Sequence, residues 1–442
     1  MSIVQFEQYK TYKDSSVDWL REVPKHWGII RVKDTVKRIG NGVTPKGGSS
    51  VYADVGIPFL RSQNVYDDGL RINNVSFISQ NIHNDMKSSA LKVGDILINI
   101  TGASIGRTCV VPLGLDTANI NQHIAFLRIK SQYNIKYISL FLKSPFIKNY
   151  IQFEQNGASK EAFNLSQIAN IPLVLPESFE QIAIANYLDK NTAQIDCKID
   201  LLSQKAAKYS QLKQSLINET VTRGLDKTVP LKDSGVEWIG KVPEHWEVKR
   251  GKDVFEQTKN KAGQESSSYD VLSLTLKGVI KRDLDNMKGK IPASFDGYQI
   301  ANPDNLVLCL FDMDVTPRIV GYVNQLGIIT SAYSVLMGKG IAHMKYFLYY
   351  YLEQNRNGSL LANSKTLRST MTFDLFSQLI LPLPPIDEQQ SIAKYLDKKT
   401  TQIDSIVETI NTQIEKLKEL RKTLINDVVT GKIKVVQEEQ TA

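Results

Sequence analysis

Arginine, lysine and amide side chains gather in short polar loops of the sequence, and such side chains hydrogen-bond to base edges and phosphates. In RSQNVYDDG (61–69), Arg61 is followed closely by Gln63 and Asn64. An arginine can make two hydrogen bonds to guanine, and an amide can make two to adenine. The loops GNGVTPKGG (40–48), TGASIGR (101–107) and NQH (121–123) add backbone donors, hydroxyls and basic groups. Together they predict a nucleic-acid-binding surface, although Gly- and Asn-rich loops are also ordinary turns.

A second set of loops with the same chemistry follows in the later half of the chain. It comprises LKGVIKR (276–282), FDMDVTPR (311–318), TSAYS (330–334) and SKTLRS (364–369). The candidate DNA contacts in the first set are Thr44, Lys46, Arg61, Gln63, Asn64, Thr101, Ser104, Arg107, Asn121, Gln122 and Lys160. In the second set they are Lys277, Arg282, Asp312, Arg318, Ser331, Tyr333, Lys365 and Arg368.

Sequence motifs of catalytic and metal sites are missing from the chain. It has no GxxxxGK followed by Ser or Thr, no HExxH, and no GxGxxG after a predicted strand. It also lacks the Asn/Asp-Pro-Pro-aromatic tetrapeptide of amino-methylating enzymes. Asp312 and Asp314 are too few carboxylates for a metal site, and His26 and His245 fit packed structural positions better. We therefore predict neither a catalytic residue nor a metal ligand in this chain.

The composition is that of a globular protein with more than one domain. The chain has 442 residues, of which 42% are hydrophobic and 23% are charged. No apolar run approaches the ~20 residues of a membrane helix, and MSIVQFEQYKTYKDSS at the start lacks the apolar core of a signal peptide. We therefore expect a cytoplasmic protein. Its cysteines, Cys109, Cys197 and Cys309, lie far apart and are expected to be reduced packing residues.

The positive charge is unevenly distributed along the chain. The net charge is +8, and residues 1–176 hold 20 lysines and arginines against 13 acidic residues. A positive excess in the globular segments suits a polyanionic partner. Many proteins without such a partner have the same isoelectric point, so the charge alone does not decide between them.

The sequence repeats itself in a fixed frame. DSSVDWLREVPKHW (14–27) returns as DSGVEWIGKVPEHW (233–246), and EQIAIANYLDKNTAQID (180–196) returns as EQQSIAKYLDKKTTQID (388–404). The offset between copies falls from 219 to 208 residues, so the intervening segments differ in length, and they share little sequence. This pattern suggests one scaffold that presents two different recognition surfaces. A tandem duplication whose inserts diverged neutrally is the alternative.

Each shared segment predicts a long helix. Prolines precede about forty residues without proline or glycine, and apolar residues recur at heptad spacing in the same register in both copies. We predict that the two helices form an antiparallel intramolecular coiled coil, the alternative being separate helices that each pair with another subunit. The residues assigned to helix pairing and partner docking are Leu188, Ile195, Ile199, Leu202, Leu216, Leu396, Ile403, Val407, Ile410 and Leu424. Lys213 and Arg421, at equivalent seam positions, are interpreted as solvated charges or as a local opening.

The fold class predicted from these segments is α+β, with pseudo-twofold symmetry. Short β-rich runs bounded by Gly, Pro, Asn and Asp fill each variable block, and each block has one helical stretch, at 135–153 and 344–355. The predicted domains are two recognition domains, 1–176 and 228–384, two helical spacers, 177–227 and 385–435, and a tail, 436–442.

The order of these motifs resembles the specificity subunit of type I restriction–modification systems. The resemblance rests on DSSVDWLREVPKHW, GNGVTP, IPFLRSQNV, GDILINITGASIGR, NQHI and IPLVLPESFEQIAIANYLD, with the arrangement repeated. It implies a non-catalytic subunit with two target recognition domains, each reading half of a split, asymmetric DNA site. It also implies helices that set the unread gap and dock two methyltransferase subunits, with restriction (translocase–nuclease) subunits completing the complex. S-adenosylmethionine would be bound by the methyltransferase, and this chain would bind no cofactor.

Two other classes of function stay open at this point. A coiled-coil scaffold whose heads bind proteins would show little affinity for nucleic acid and hence little salt dependence. An enzyme is disfavoured by the missing motifs. In the second variable block FDMDVTPRIVG stands where TGASIGR would be expected, which makes transfer of individual residue roles insecure there.

Overall fold

The computed structural model describes residues 7–17, 20–155, 162–284, 294–316, 318–362 and 369–436. Three predicted DNA contacts, Lys160, Lys365 and Arg368, lie outside the described residues. The chain divides into two compact units. The first unit contains Met1–Leu202 and Thr412–Ala442, and the second contains Ser203–Asn411.

Short strands and helices precede the first long helix. The strands are β1 (Tyr12–Asp14), β2 (Glu22–Pro24), β3 (Gly28–Arg31), β4 (Val36–Asn41), β5 (Ile57–Leu60), β6 (Val65–Tyr66), β7 (Gly69–Leu70), β8 (Ser76–Ile78), β9 (Ile96–Asn99), β10 (Thr108–Val110), β11 (Asn119–Ile120), β12 (Ile124–Ile129) and β13 (Pro172–Leu175). The helices are α1 (Val32–Thr35), α2 (Gln80–Asp85), α3 (Ile135–Lys143), α4 (Pro145–Gln155), α5 (Leu165–Ala169) and the long α6 (Ser178–Arg223).

A four-stranded antiparallel sheet in the order β10-β9-β12-β4 forms the centre of the first unit. Every residue of β9 is buried, and so are five of the six in β12, because other elements cover both faces of these strands. A second sheet has the order β11-β5-β8, in which β11 runs parallel to β5. This arrangement brings the ends of β5, β9 and the segment before β12 to a common region, and the polar loops follow or precede those strands.

The second unit is built in the same way from a different sequence. Its strands are β14 (Leu231–Asp233), β15 (Lys241–Pro243), β16 (Glu247–Arg250), β17 (Phe255–Thr258), β18 (Leu272–Thr275), β19 (Gly278–Lys281), β20 (Gln299–Ala301), β21 (Leu306–Leu308), β22 (Val320–Tyr322), β23 (Gly327–Ile329), β24 (Ser334–Gly338) and β25 (Ile380–Leu383). Its helices are α7 (Gly251–Val254), α8 (Met344–Arg356), α9 (Ser359–Ala362), α10 (Phe373–Gln378) and the long α11 (Ile386–Val429). The central sheet, β22-β21-β24-β17, has the same strand order as β10-β9-β12-β4.

The two long helices begin and end as their sequences predict. Proline-containing strands, β13 and β25, stop before them, and neither helix contains proline or glycine. Each is followed by a glycine in the left-handed conformation, Gly224 at φ 74° and Gly431 at φ 78°. α6 begins in the first unit and ends in the second, whereas α11 does the reverse.

Within each unit the two long helices run antiparallel. In the first unit Arg421 Nε lies 2.9 Å from Asp196 Oδ1, and in the second Lys213 Nζ lies 2.6 Å from Asp404 Oδ2. The two ion pairs are formed by equivalent residues of the repeat, and this fixes a common antiparallel register. The predicted α+β fold with antiparallel paired helices is confirmed. Lys213 and Arg421 are therefore partners in interhelical ion pairs, not free solvated charges.

The predicted pairing residues all lie on the covered side of these helices. Six are buried and four are half-buried, which is the pattern expected of an apolar seam. The buried ones are Leu188, Ile195, Leu396, Ile403, Ile410 and Leu424, and the half-buried ones are Ile199, Leu202, Leu216 and Val407.

The structure corrects two details of the sequence analysis. The helical stretch predicted at 135–153 is two helices, α3 and α4, because Ser144 leaves the helical conformation immediately before Pro145. Cys109 and Cys309 are buried, but Cys197 is exposed on α6 and is not a packing residue. Burial raises the pKa of the Cys109 thiol to about 12, which keeps it protonated and unreactive. In the described residues, no helix is long and apolar enough to cross a membrane.

Candidate nucleic-acid interface

Gly42 allows the 40–48 loop to pack closely against the segment that leads into β12. Its amide donates to Ile124 O at 3.0 Å, and the Val43 amide donates to Ile120 O at 3.1 Å. A side-chain carbon on residue 42 would lie only 2.0 Å from Ile120 O. Only glycine permits this close approach of two backbones, so the loop is held beside 121–123.

A chain of side-chain hydrogen bonds then joins three of the predicted loops. Thr44 Oγ1 donates to Gln122 Oε1, and Gln122 Nε2 lies 3.0 Å from His123 Nε2. His123 Nδ1 lies 2.7 Å from Thr101 Oγ1. With the Gln122 amide as donor to Nε2, the histidine proton is on Nδ1 and is donated to Thr101. The network leaves one N–H and one oxygen lone pair of Gln122 unused.

Asn99, at the end of β9, ties the 61–64 turn to the 101–107 loop. Its Nδ2 donates to Ser62 O at 2.8 Å and to Ser104 Oγ at 3.0 Å. The side chain is fully buried, so these bonds are shielded from water. All four predicted loops of the first unit are thus brought together.

Two predicted DNA contacts of this unit use their side chains in hydrogen bonds to the backbone of their own loops. Asn64 is buried; its Oδ1 accepts from the Arg61 amide at 2.9 Å and its Nδ2 donates to Arg71 O at 2.8 Å. Asn121 is also buried, and its Oδ1 accepts from the His123 amide at 3.2 Å. Both amides therefore shape turns, and contact of either one with a base stays a prediction.

The other candidates of the first unit keep some exposure to solvent. Thr44, Lys46, Gln63 and Gln122 are exposed, whereas Arg61, Thr101, Ser104 and Arg107 are half-buried. Aromatic rings support both arginines. The Arg61 guanidinium lies 5.8 Å from the centre of the Tyr52 ring, and that of Arg107 lies 4.6 Å from the centre of the Tyr66 ring. Such cation–π contacts restrain the position of a guanidinium without using its N–H donors.

Loops also converge in the second unit, but through different contacts. Phe311 and Tyr333 stack with their ring centres 5.8 Å apart, which joins the 311–318 and 330–334 loops. Arg318 Nε donates to Val320 O and its Nη1 donates to Leu276 O, both at 2.9 Å. These bonds hold the β18–β19 hairpin, which carries Lys277, against the 311–318 loop.

Arg318 holds these loops together with two of its N–H donors, and burial lowers the pKa of its guanidinium. Contact of its other donors with DNA stays a prediction. Burial raises the pKa of the Tyr333 hydroxyl, which therefore remains a donor at neutral pH. Lys277, Asp312 and Ser331 are exposed, and Arg282 and Tyr333 are half-buried. Asp312 has a left-handed backbone (φ 47°) at the tip of its loop.

Several side chains that organise the interface were missed by the sequence analysis. Asn99, His123, Tyr66 and Asp67 each hold a predicted contact or its loop in place. Tyr66, Asp67 and His123 lie within quoted motifs, so their presence in the same loops as Arg61 and Gln122 was an available signal. Asn99 is the last residue of an apolar, buried strand, where a polar side chain needs a buried partner, and that was the signal for it.

Comparisons with known proteins agree on one family. The family model described as type I restriction modification DNA specificity domain matches residues 24–204 and 243–416. A putative type I restriction enzyme MjaX specificity subunit of Methanocaldococcus jannaschii is 25% identical, with 98% of this chain and 99% of that protein aligned. The EcoBI specificity subunit of Escherichia coli is 25% identical over 44% of this chain and 41% of that protein.

Solved structures show the same fold at low sequence identity. A chain from a study of complex assembly and conformational transition of the type I R-M system has a TM-score of 0.68 and 15% identity, with 93% of this chain and 99% of that chain covered. The HsdS subunit of Thermoanaerobacter tengcongensis has a TM-score of 0.53 and 17% identity, with 93% and 98% covered.

Proposed function

Because the chain belongs to the type I restriction–modification DNA specificity family, we propose that each of its two units reads one half of a split, asymmetric DNA sequence. It is the specificity subunit of such a system, and by family it is non-catalytic. In the described residues, no group of three or more His, Cys, Asp and Glu side chains could hold a metal ion.

One observation carries this proposal. Each unit has a central sheet with the same strand order, but the loops of the two sheets present different side chains. The first unit joins its loops through Thr44, Gln122 and His123, whereas the second uses the Phe311–Tyr333 stack. Different donors and acceptors on the same frame suit two unlike half-sites. Exposed lysines such as Lys46 and Lys277 would contact phosphates and supply affinity that falls with salt.

The long helices are proposed to set the gap between the half-sites and to dock two methyltransferase subunits. Leu212 and Leu420 are equivalent residues of the repeat, and each is 53% exposed on its helix although the seam residues are covered. Exposed leucines at equivalent positions suit two copies of one partner. Restriction (translocase–nuclease) subunits would join this complex. S-adenosylmethionine would bind to the methyltransferase, which would methylate adenine at the site that this chain selects.

The test is selection of binding sites from random duplexes by the chain assembled with its methyltransferase. We expect two short conserved blocks separated by an unread gap of fixed length. The affinity should fall steeply between 50 and 200 mM salt, because phosphate contacts release counterions. Absence of any sequence preference, or stable protein binding by the two heads with no DNA affinity, would contradict the proposal and favour a protein scaffold.

A second measurement checks the proposed methylation. In cells that carry this chain and its methyltransferase, methylated adenines should lie within the selected site and should disappear when the chain is deleted. Methyl transfer by the isolated chain would contradict the non-catalytic role.

A further inference from the structure

We propose that Tyr66 is a positioning residue that holds Arg107 for bidentate contact with a guanine of the half-site read by the first unit. This inference rests on the proposed function and goes beyond it, because it assigns one base and the residue pair that recognises it.

The position of Arg107 is fixed at its backbone and at its guanidinium. Its amide donates to Ser104 O at 3.1 Å, and its carbonyl accepts from the Asn99 amide at 2.9 Å. Its guanidinium carbon lies 4.6 Å from the centre of the Tyr66 ring. Arg107 therefore ends the 101–107 loop with its backbone held by two hydrogen bonds and its guanidinium restrained by one ring.

Tyr66 is in turn held in place by the residue that follows it. Asp67 Oδ1 accepts from the Thr108 amide at 2.9 Å, and the other carboxylate oxygen accepts from Lys148 Nζ. Thr108 is adjacent to Arg107, so this bond fastens the β6–β7 hairpin beside the arginine that its aromatic ring supports.

The charge of Arg107 is unbalanced, unlike that of a second arginine on the same ring. Arg71 lies 4.8 Å from the centre of the Tyr66 ring, but its Nη2 also lies 2.6 Å from Asp68 Oδ2. The Arg107 guanidinium makes no hydrogen bond or ion pair with the described part of the chain. A guanidinium held over an aromatic ring keeps its N–H fork free for an external acceptor.

Guanine is the ligand that this arrangement favours over a phosphate. The O6 and N7 acceptors of guanine match the fork of an arginine, and this is the commonest specific contact in the major groove. Such a contact requires a restrained guanidinium, and the Tyr66 ring restrains that of Arg107. The fork of an arginine also fits a phosphate, but exposed lysines such as Lys46 supply phosphate affinity without a restraining ring.

The test uses the complete complex with its methyltransferase and measures the preference for each base at every position of both half-sites. Arg107→Lys removes the fork but keeps the charge, and we expect discrimination at one guanine of one half-site to fall at least about fivefold. Tyr66→Leu removes the ring but keeps apolar bulk, and discrimination at the same guanine should fall about two- to fivefold. Tyr66→Phe keeps the ring and should keep the discrimination at this guanine. Arg71→Lys, the matched control on the same ring, should leave it unchanged.

Other outcomes would overturn the inference. If Arg107→Ala weakens binding to all sequences equally and reduces the slope of log affinity against log salt by about one, Arg107 contacts a DNA phosphate. If Tyr66→Leu leaves the guanine preference unchanged, or abolishes the whole half-site, the ring does not position Arg107. If the affected base is not guanine, the assignment of the base is wrong. Failure of the proposed function looks different, because the unmodified complex would then select no sequence in either half.

Discussion

Glu180, near the start of α6, accepts hydrogen bonds from three side chains near the amino terminus of the chain. Tyr9 donates to Oε1 at 3.1 Å, and Trp27 Nε1 donates to Oε2 at 3.0 Å, where His26 Nε2 also lies at 3.0 Å. Burial and the Glu180 carboxylate raise the pKa of Tyr9 far above its ordinary value, so its hydroxyl remains a donor. The His-Trp pair and the glutamate recur in the sequence, and both copies form this contact.

The second copy forms a weaker version of the same contact. Glu388 accepts from Trp246 Nε1 at 3.1 Å and lies 2.7 Å from His245 Nε2, but among the described residues no tyrosine hydroxyl donates to it. Its side chain is 24% exposed, against 4% for Glu180. Water can therefore reach the donors around Glu388 more readily than those around Glu180.

We expect Glu180→Ala to destabilise the protein by about 3 kcal/mol or more, because two buried donors, Tyr9 and Trp27, lose their acceptor. Glu388→Ala should cost about 1–2 kcal/mol, because the site is more exposed. Urea unfolding followed by tryptophan fluorescence measures both free energies. Equal losses in the two variants would contradict this explanation of the repeat.

Neighbouring amides show what the sequence could and could not predict about single residues. Gln63 and Gln122 are exposed as expected of base-reading side chains, but Asn64 and Asn121 beside them are buried in turns. All four residues carry an amide, so their type does not distinguish them. The direction of each side chain depends on the backbone geometry of its turn. The sequence therefore identified loops that the structure brings together, but not the face on which each amide lies.

The close approach of the 40–48 loop to the segment before β12 gives a prediction at the level of loops and strands. We expect Gly42→Ala to displace the loop, because the new carbon would lie 2.0 Å from Ile120 O. Recognition of one half-site should weaken by at least about tenfold, while the other half-site stays unchanged. Binding to duplexes altered in one half at a time measures this.

Gly340→Ala is the matched control for this variant. Its added carbon would meet nothing within 4 Å, and its φ is not in the left-handed region. It should leave both half-sites unchanged. A Gly42→Ala protein with normal recognition of both halves would show that the loop does not depend on this approach.

The ion pairs between the long helices give a second prediction at this level. Lys213→Glu should destabilise the helix pair by about 0.5–1 kcal/mol, because it places a second acidic group beside Asp404. The effect is small because Lys213 and Asp404 are 30% and 61% exposed. Adding Asp404→Lys should restore the stability, as measured by thermal unfolding. No recovery in the double variant would show that the pair adds nothing to helix pairing.

The pairing of these helices could be predicted, but the correspondence of the heads could not. Heptads in matched register appear twice in one chain, so each apolar seam has an evident partner. The heads share almost no sequence, and their relation appears only in the strand order. TGASIGR connects β9 to β10, and FDMDVTPR lies in the equivalent connection of β21 to β22. Sheet position therefore identifies a counterpart that residue matching left insecure.

For the chain as a whole, the continuity of α6 and α11 between the two units is the main mechanical feature. Both helices pass from one unit into the other without proline or glycine. If their length sets the unread gap, a matched change in both helices should alter the gap alone. The register given by Asp196–Arg421 and Lys213–Asp404 identifies which segments must be removed together.

Residues 206–212 and 405–411 are opposite heptads in this register, and their removal keeps both ion pairs. Seven helical residues span about 10.5 Å, which corresponds to about three base pairs of B-DNA. We expect site selection with this variant to give the same two half-sites with a gap shorter by about three base pairs. Affinity should also fall, because three base pairs turn the duplex by about a third of a turn. Removing only 206–212 is the control, because it shifts one seam against the other and should abolish assembly. An unchanged gap, or altered half-site sequences, would show that the helices do not measure the distance between the sites.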